Sequence, residues 1–193
     1  ISVINKFSTI INSWDRIAII GENGIGKTTF LKCLVEDEFI DEGTVTWSEN
    51  ALIGYFPQNP SNEFKSNISL LDWMNQWSHE EDDLETVRGT LGRLLFSQND
   101  IGKPISVLSG GEQRRMLFGK IILQRANVII LDEPTNHLDM ESIESLNHAL
   151  NLFEGTSIFV SHDREFISSL APRVIEIRHD KIIDYADNLS LIH

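Results

Sequence analysis

A glycine-rich turn over residues 21–29 carries the residue types and spacing that point most directly to chemistry. Its sequence from Gly21 is Gly-Glu-Asn-Gly-Ile-Gly-Lys-Thr-Thr, so a glycine, four residues, a second glycine, a lysine and a threonine stand in order. That is the spacing of a phosphate-binding loop. An apolar run over 17–20 precedes it and a helix-like run over 30–35 follows, as this loop requires. An ordinary glycine turn between a strand and a helix is the alternative interpretation.

These residue types suit a compact, highly charged triphosphate. Gly21 and Gly26 leave room for the backbone to wrap the β-phosphate, and the dipole at a helix N-terminus favours anions. Lys27 would neutralise charge on the β- and γ-oxygens, and the Thr28 hydroxyl would ligate Mg²⁺. The predicted nucleotide-binding residues of the loop are Gly21, Asn23, Gly24, Gly26, Lys27, Thr28 and Thr29. The sequence therefore predicts binding of a nucleoside triphosphate.

Polar residues follow three further predicted strands. Asp132 and Glu133 end the apolar run 127–131, and His162 follows a run over 156–160. Because ligands of open α/β sheets bind at the carboxyl ends of strands, Asp132 is a candidate magnesium ligand and Glu133 a candidate general base. His162 would contact the γ-phosphate, and Gln58 would reach the metal or the attacking water. The alternative for Asp132 and Glu133 is a strand end that turns at Pro134.

A second pair of glycines lies at a predicted helix start. Ser109 with Glu112 three residues later is the pattern of a capping box, which is common at helix N-termini. Capping alone leaves Gly110 and Gly111 unexplained, because glycine is a poor helix former. Their exposed N–H groups and the serine hydroxyl would form a second anion site. One nucleotide cannot use both sites of one subunit, so Ser109 to Gln113 are predicted to contact ATP held by a partner.

Composition excludes several classes of protein. The 193 residues hold 16 lysines and arginines against 29 acidic residues, a net charge of −13, which disfavours a broad nucleic-acid surface. The single cysteine excludes an internal disulfide framework, and no apolar run is long enough for a membrane span. We therefore expect a cytoplasmic protein without direct membrane insertion.

The pattern of apolar residues predicts an α/β fold with an inserted helical part. Residues 1–58 and 125–193 are the predicted α/β core, and 59–124 the helical subdomain. We expect an antiparallel strand before Trp14, β-type runs over 44–47 and 51–56, and helices over 68–77 and 84–96. A helix capped by Asp139 and a closing hairpin over 173–185 complete the prediction.

Together these motifs resemble an ATP-binding-cassette (ABC) ATPase across nearly the whole chain. The matching segments, in the order and approximate spacing of that family, are 21–29, Gln58, 108–113, 129–133 and His162. The segment Glu-Pro-Thr-Asn-His-Leu-Asp over 133–139 resembles the ABC-F branch, soluble tandem ATPases that act on the ribosome. The segments 92–98 and 159–166 are also similar to ABC-F cassettes, in particular to the second of the two.

The resemblance implies a P-loop ABC fold, with a mainly parallel core sheet and an antiparallel β subdomain. It also implies Mg²⁺-dependent ATP hydrolysis by two cassettes that sandwich ATP, from one chain or a homodimer. Ser109 and Gly111 would touch the partner's γ-phosphate, and Asp139 would lie in the loop that crosses the dimer interface. We expect the chain to be part of a longer tandem-cassette protein that contacts the ribosome. A transporter motor subunit and a non-hydrolytic clamp, for example on DNA, are the alternatives.

Overall fold

The computed structural model describes residues 7–36, 38, 40–136 and 138–186. Two compact units are present: the first comprises 1–58 with 127–193, and the second comprises 59–126. The first unit holds the sheet, whereas the described elements of the second unit are helical. The predicted fold class, α/β with a mainly parallel sheet and an antiparallel part, is confirmed.

A six-stranded sheet forms the first unit. Its strands and helices, in chain order, are β1 (Arg16–Gly21), α1 (Lys27–Leu34), β2 (Ile53–Phe56), β3 (Val128–Asp132), α5 (Met140–Leu152), β4 (Thr156–Val160), α6 (Arg164–Leu170), β5 (Arg173–Ile177) and β6 (Ile182–Ala186). The helical unit supplies α2 (Leu70–Asn75), α3 (Leu84–Arg93) and α4 (Gly110–Leu123). The strand order is β2-β3-β4-β1-β5-β6, with every neighbouring pair parallel except β5 and β6.

The central strands are buried on both faces. All five residues of β3 and all five of β4 are buried, which accounts for the continuous apolar runs in their sequences. Between β1 and β3 lies only β4, so these two strands end at the same edge of the sheet. The segments that follow them, the glycine loop after β1 and the acidic pair at the end of β3, therefore lie near each other.

The helical unit has its own apolar core. Leu70, Met74 and Leu91 are fully buried, and Met116 and Leu117 contribute the inner face of α4. Lys120 makes two contacts at the edge of this core. Its ammonium group forms an ion pair with Glu63 at 2.7 Å and lies 4.1 Å from the centre of the Trp77 ring. This cation–π contact adds to the packing of the unit.

Helix α2 is two residues shorter at each end than the predicted 68–77, and β2 begins two residues later than the predicted 51–56. Three further expected elements differ from the structure. Residues 44–47 form no strand; the indole N–H of Trp47 instead donates to the Leu34 carbonyl at the end of α1, at 2.8 Å. Residues 7–12 form none either, while 1–6 lie outside the described residues. The antiparallel part is the β5–β6 pair. Helix α3 ends at Arg93, earlier than predicted, because Leu95 adopts a left-handed φ of 65° that turns the chain.

Candidate nucleotide-binding site

The glycine loop connects β1 to α1 in the conformation that its glycines allow. Gly21, Gly24 and Gly26 have φ angles of 154°, 77° and 111°, which side-chain-bearing residues rarely adopt. Gly21 also lies against β5, because a Cβ atom there would stand 2.5 Å from the Ile177 carbonyl oxygen. The loop therefore depends on glycine for its backbone angles and for its close contact with β5.

Helix α1 presents an N-terminus suited to an anion. Gly26 is its N-cap, and no side chain among the described residues caps it. The N–H groups of the first turn therefore have no side-chain acceptor. Together with the positive end of the helix dipole, they favour binding of an anion. Lys27 folds back over the loop and donates to the carbonyl oxygens of Gly21 and Glu22, both at 2.9 Å. Thr28 and Thr29 are half-buried, and Asn23 and Gly24 are exposed.

Lys27 faces the two acidic residues at the end of β3. Burial lowers the pKa of the Lys27 ammonium group, and the negative charges of Glu133 and Asp132 act in the opposite direction. Helix α1, which begins at Lys27, also contacts β3, so the structure brings the lysine of the loop near Asp132 and Glu133. The predicted proximity of the loop and the β3 end is therefore present in the first unit.

Asp132 is a fully buried carboxylate without a hydrogen-bond partner among the described residues. Burial raises its pKa, and the Thr28 side chain, which lies close without reaching full hydrogen-bond geometry, acts against this shift. Unpaired buried carboxylate oxygens cost stability unless a ligand satisfies them. A carboxylate beside a threonine hydroxyl fits a magnesium ion, which prefers oxygen ligands and completes its shell with phosphate and water.

Gln58 is the remaining predicted magnesium-binding residue. Gln58 is exposed and follows β2, which pairs with β3. No group of three or more His, Cys, Asp or Glu side chains in the described part of the chain could hold a metal ion.

Glu133 is buried and contacts His162. Its Oε1 atom lies 3.0 Å from His162 Nε2, whereas Oε2 has no hydrogen-bond partner among the residues described. Burial raises the pKa of Glu133, and His162 and then Lys27 act in the opposite direction. The backbone of Glu133 has a left-handed φ of 51°, a strained value for a glutamate. Strain of this kind is common at functional sites.

The glycine pair of the helical unit begins α4. Ser109 is the N-cap, its N–H donates to Glu112 Oε2 at 2.8 Å, and its hydroxyl accepts from the Glu112 N–H, so the capping box is complete. The Gln113 side chain donates to the Leu108 carbonyl at 3.1 Å. Gly110 and Gly111 are exposed, and a Cβ atom at either would have no described atom within 4 Å. Packing within the unit thus gives no reason for glycine there.

Asp139 caps α5 by accepting from the Ser142 N–H at 2.8 Å, as predicted, and it is exposed. Two buried hydroxyl residues, Thr135 and Ser161, are not among the predicted site residues, yet their oxygens lie 3.3 Å apart beside Glu133 and His162. Thr135 follows Glu133 by two residues and Ser161 precedes His162, so their position beside candidate residues was the available signal.

Comparison with known proteins agrees with this geometry. The sequence profile of the family described as ABC transporter matches residues 4–136. The chain belongs to this ABC family. The chain is thus an ATP-binding domain of the ABC type, and the predicted ABC-F resemblance is confirmed by its relatives.

Two curated relatives and one solved structure illustrate the similarity. The "Probable ATP-binding protein YbiT" of Escherichia coli O157:H7 is 55% identical over 96% of this chain and 35% of that protein. The "ABC transporter F family member 2" of Arabidopsis thaliana is 37% identical over 97% of this chain and 28% of that protein. A chain in the complex of archaeal ribosomal stalk protein aP1 and archaeal ribosome recycling factor aABCE1 matches with a TM-score of 0.66 and 27% identity, over 84% of this chain and 31% of that one.

The chain spans about a third of the length of the curated relatives it matches. Within the residues that the structure describes, the helices are too short or too polar to cross a membrane.

Proposed function

We propose that this ABC domain binds and hydrolyses ATP as one cassette of a longer cytoplasmic ABC-F protein that acts on the ribosome. The observation that supports ATP hydrolysis most directly is the Glu133–His162 pair beside Lys27 and Asp132. The proposed action on the ribosome is supported by the structural neighbour from a complex with a ribosomal stalk protein, and it has a separate test below.

The loop and α1 bind the triphosphate. The backbone of the glycine loop, Asn23 and Thr29 contact the phosphates, and Lys27 leaves its carbonyl partners for the β- and γ-oxygens. Exchange of neutral carbonyl acceptors for phosphate oxygens strengthens the hydrogen bonds of the ammonium group. Thr28, Asp132 and Gln58 are the proposed magnesium-binding residues. When bound, Mg²⁺ would supply charge stabilisation for the transferred phosphoryl group.

Glu133 orients and polarises the attacking water. Its Oε2 atom has no hydrogen-bond partner among the described residues, so it can accept a proton from water while Oε1 remains against His162. A pKa raised by burial makes this carboxylate a stronger base than an exposed glutamate. Because more than half of the His162 side chain is exposed, His162 remains able to reach the γ-phosphate as well.

A second ABC cassette supplies the rest of the hydrolytic site. Ser109, Gly110, Gly111, Glu112 and Gln113 would face the ATP held by that cassette, and Asp139 would lie at the interface. The support is that Gly110 and Gly111 are exposed and meet no described packing neighbour, so their lack of a side chain is best explained by close approach of a partner's ligand. The partner cassette is in the same parent chain or in a second copy.

The parent protein contacts the ribosome, and ATP binding and hydrolysis time its attachment and release. The structural neighbour named above is a ribosome recycling factor found in a complex with a ribosomal stalk protein. The net charge of −13 fits a domain that works as the motor better than one that contacts RNA.

Sedimentation of ribosomes tests this proposal. The full-length protein with Glu133→Gln is mixed with ribosomes, with or without ATP, and the pellet is analysed for the protein. We expect co-sedimentation only with ATP. The matched control carries Lys27→Met in addition, which should abolish ATP binding and the sedimentation with it. Absence of the Glu133→Gln protein from the pellet, with ATP binding intact, would contradict the ribosomal part of the proposal.

A further inference from the structure

The segment after β4 holds an exposed histidine against a buried glutamate. The His162 side chain is 54% exposed and that of Glu133 only 5%, yet their nearest polar atoms are 3.0 Å apart. An exposed side chain keeps much of its rotamer freedom, so its contact with a buried partner depends on where the backbone places it. The contacts that fix the backbone around residue 162 therefore decide whether His162 meets Glu133.

Two neighbours of His162 are fixed by hydrogen bonds. On one side, the Ser161 hydroxyl is buried and accepts from the Asp163 N–H at 3.1 Å. On the other, the Asp163 carboxylate caps α6 by accepting from the N–H groups of Glu165 and Phe166 at 2.9 and 3.1 Å. His162 thus lies between two residues that are attached to the start of α6.

The Ser161 hydroxyl also contacts the segment after β3. Its oxygen lies 3.3 Å from that of Thr135, which is buried as well. A serine hydroxyl has one donor and two acceptor lone pairs, so Ser161 can accept from Asp163 and still either donate to Thr135 or accept from it. In the same segment, Glu133 donates its N–H to Val160 at 3.0 Å and its carbonyl accepts from Asn136 at 3.2 Å. The two hydroxyls therefore join the segment that carries Glu133 to the segment that carries His162.

We propose that Thr135 and Ser161 are positioning residues for ATP hydrolysis, whose hydroxyl contact sets the distance between Glu133 and His162. Neither residue touches the nucleotide in this account, so the contact acts on the rate of hydrolysis rather than on nucleotide affinity. The inference rests on the proposed hydrolytic function of the site.

Variants of the full-length protein separate this role from a structural one. Ser161→Ala and Thr135→Val each remove one hydroxyl, Thr135→Ser keeps it, and Ser168→Ala removes an exposed hydroxyl of α6 as a matched control. Since displacement of a catalytic group by about 1 Å can cost about 100-fold, we expect kcat to fall by at least about tenfold in the first two, with KM for ATP unchanged. Thr135→Ser and Ser168→Ala should keep nearly the wild-type kcat.

A double variant provides the sharpest result. Because both changes break the same contact, Ser161→Ala with Thr135→Val should be no slower than the slower single variant. If the fold-reduction in kcat of the double variant equals the product of the two single reductions, the residues act independently, and the proposal would be overturned. An unchanged kcat, or a KM that rises in step with any fall in kcat, would overturn it too.

A crystal structure of the Ser161→Ala protein gives a readout that does not depend on turnover. We expect His162 to move away from Glu133 there while β3 and β4 stay in place. An unmoved His162 would overturn the inference even if hydrolysis is confirmed, whereas a wild-type protein without ATPase activity would contradict the proposed function instead.

Discussion

His162 and Glu133 meet at the ends of neighbouring parallel strands, with 3.0 Å between Nε2 and Oε1. The Glu133 N–H donates to the carbonyl of Val160 in β4, so the glutamate extends the ladder of the sheet by one bond before the chain turns. A general base gains from such a fixed position because its distance to the attacking water is set before the substrate binds.

Gly21→Ala is expected to destabilise the chain. The new Cβ atom would stand 2.5 Å from the Ile177 carbonyl oxygen, and the φ of 154° is one that alanine rarely adopts. Overpacking against backbone together with backbone strain predicts a loss of about 3 kcal/mol in the free energy of unfolding. Urea unfolding measures it.

Gly43→Ala is the matched control for that variant. Gly43 has a φ of 96°, but a Cβ atom there would meet no described atom within 4 Å. Strain alone predicts a loss of about 1 kcal/mol. Equal losses in the two variants would contradict the claim that the loop lies in obligatory contact with β5.

Lys27→Met should weaken ATP binding. Methionine keeps much of the aliphatic length but removes the charge, and loss of hydrogen bonds to charged phosphate oxygens costs about 3 kcal/mol, or roughly 100-fold in Kd. Titration with a fluorescent ATP analogue gives the value. Lys32→Met, in the last turn of the same helix, is the control and should bind nearly as well as the wild type. Similar affinities for both variants would argue against the assigned role of Lys27.

Asp184 should make stability depend on pH below about pH 4. Arg173 holds both of its carboxylate oxygens, at 3.0 and 2.6 Å, and thereby lowers the pKa of Asp184 in the folded chain. Since the folded pKa lies below the unfolded one, this contribution is present above the unfolded pKa of about 3.9 and is lost as pH falls through the folded value.

Asp184→Asn therefore should lower the free energy of unfolding by about 1 kcal/mol at pH 7 and by less at pH 3. Urea titrations at the two pH values measure the difference, with Asp180→Asn, an exposed site, as the control. The same loss at both pH values would contradict the assignment.

The sequence was sufficient to predict the parts of the site that lie close together in the chain. A phosphate-binding loop needs fixed residue types within eight positions, here 21–28, and the positive φ angles of Gly21 and Gly26 explain why glycine stands at both. The buried strands β3 and β4 were equally predictable, because strands covered on both faces have continuous apolar sequences. Asp139 and Ser109 were recognisable as helix caps from their local pattern.

Contacts between distant segments were not predictable. Trp47 belongs to a run of β-type residues, but its indole bonds to the end of α1, and this tertiary contact overrides the local preference. The predicted end of α3 is three residues too late because a leucine, Leu95, takes the left-handed position that glycine usually occupies after a helix. The contact between Thr135 and Ser161 joins residues 26 positions apart, which no local pattern reveals.

The rate of ATP hydrolysis by the Glu133→Gln protein tests the central claim most directly. In the full-length protein, we expect ATP to remain bound in the proposed cassette pair while hydrolysis at the site that holds Glu133 falls by at least about 100-fold, as expected for loss of a general base. Glu144→Gln, on the exposed side of α5, is the control and should hydrolyse ATP at the wild-type rate. Equal hydrolysis by the Glu133→Gln and wild-type proteins would contradict the account.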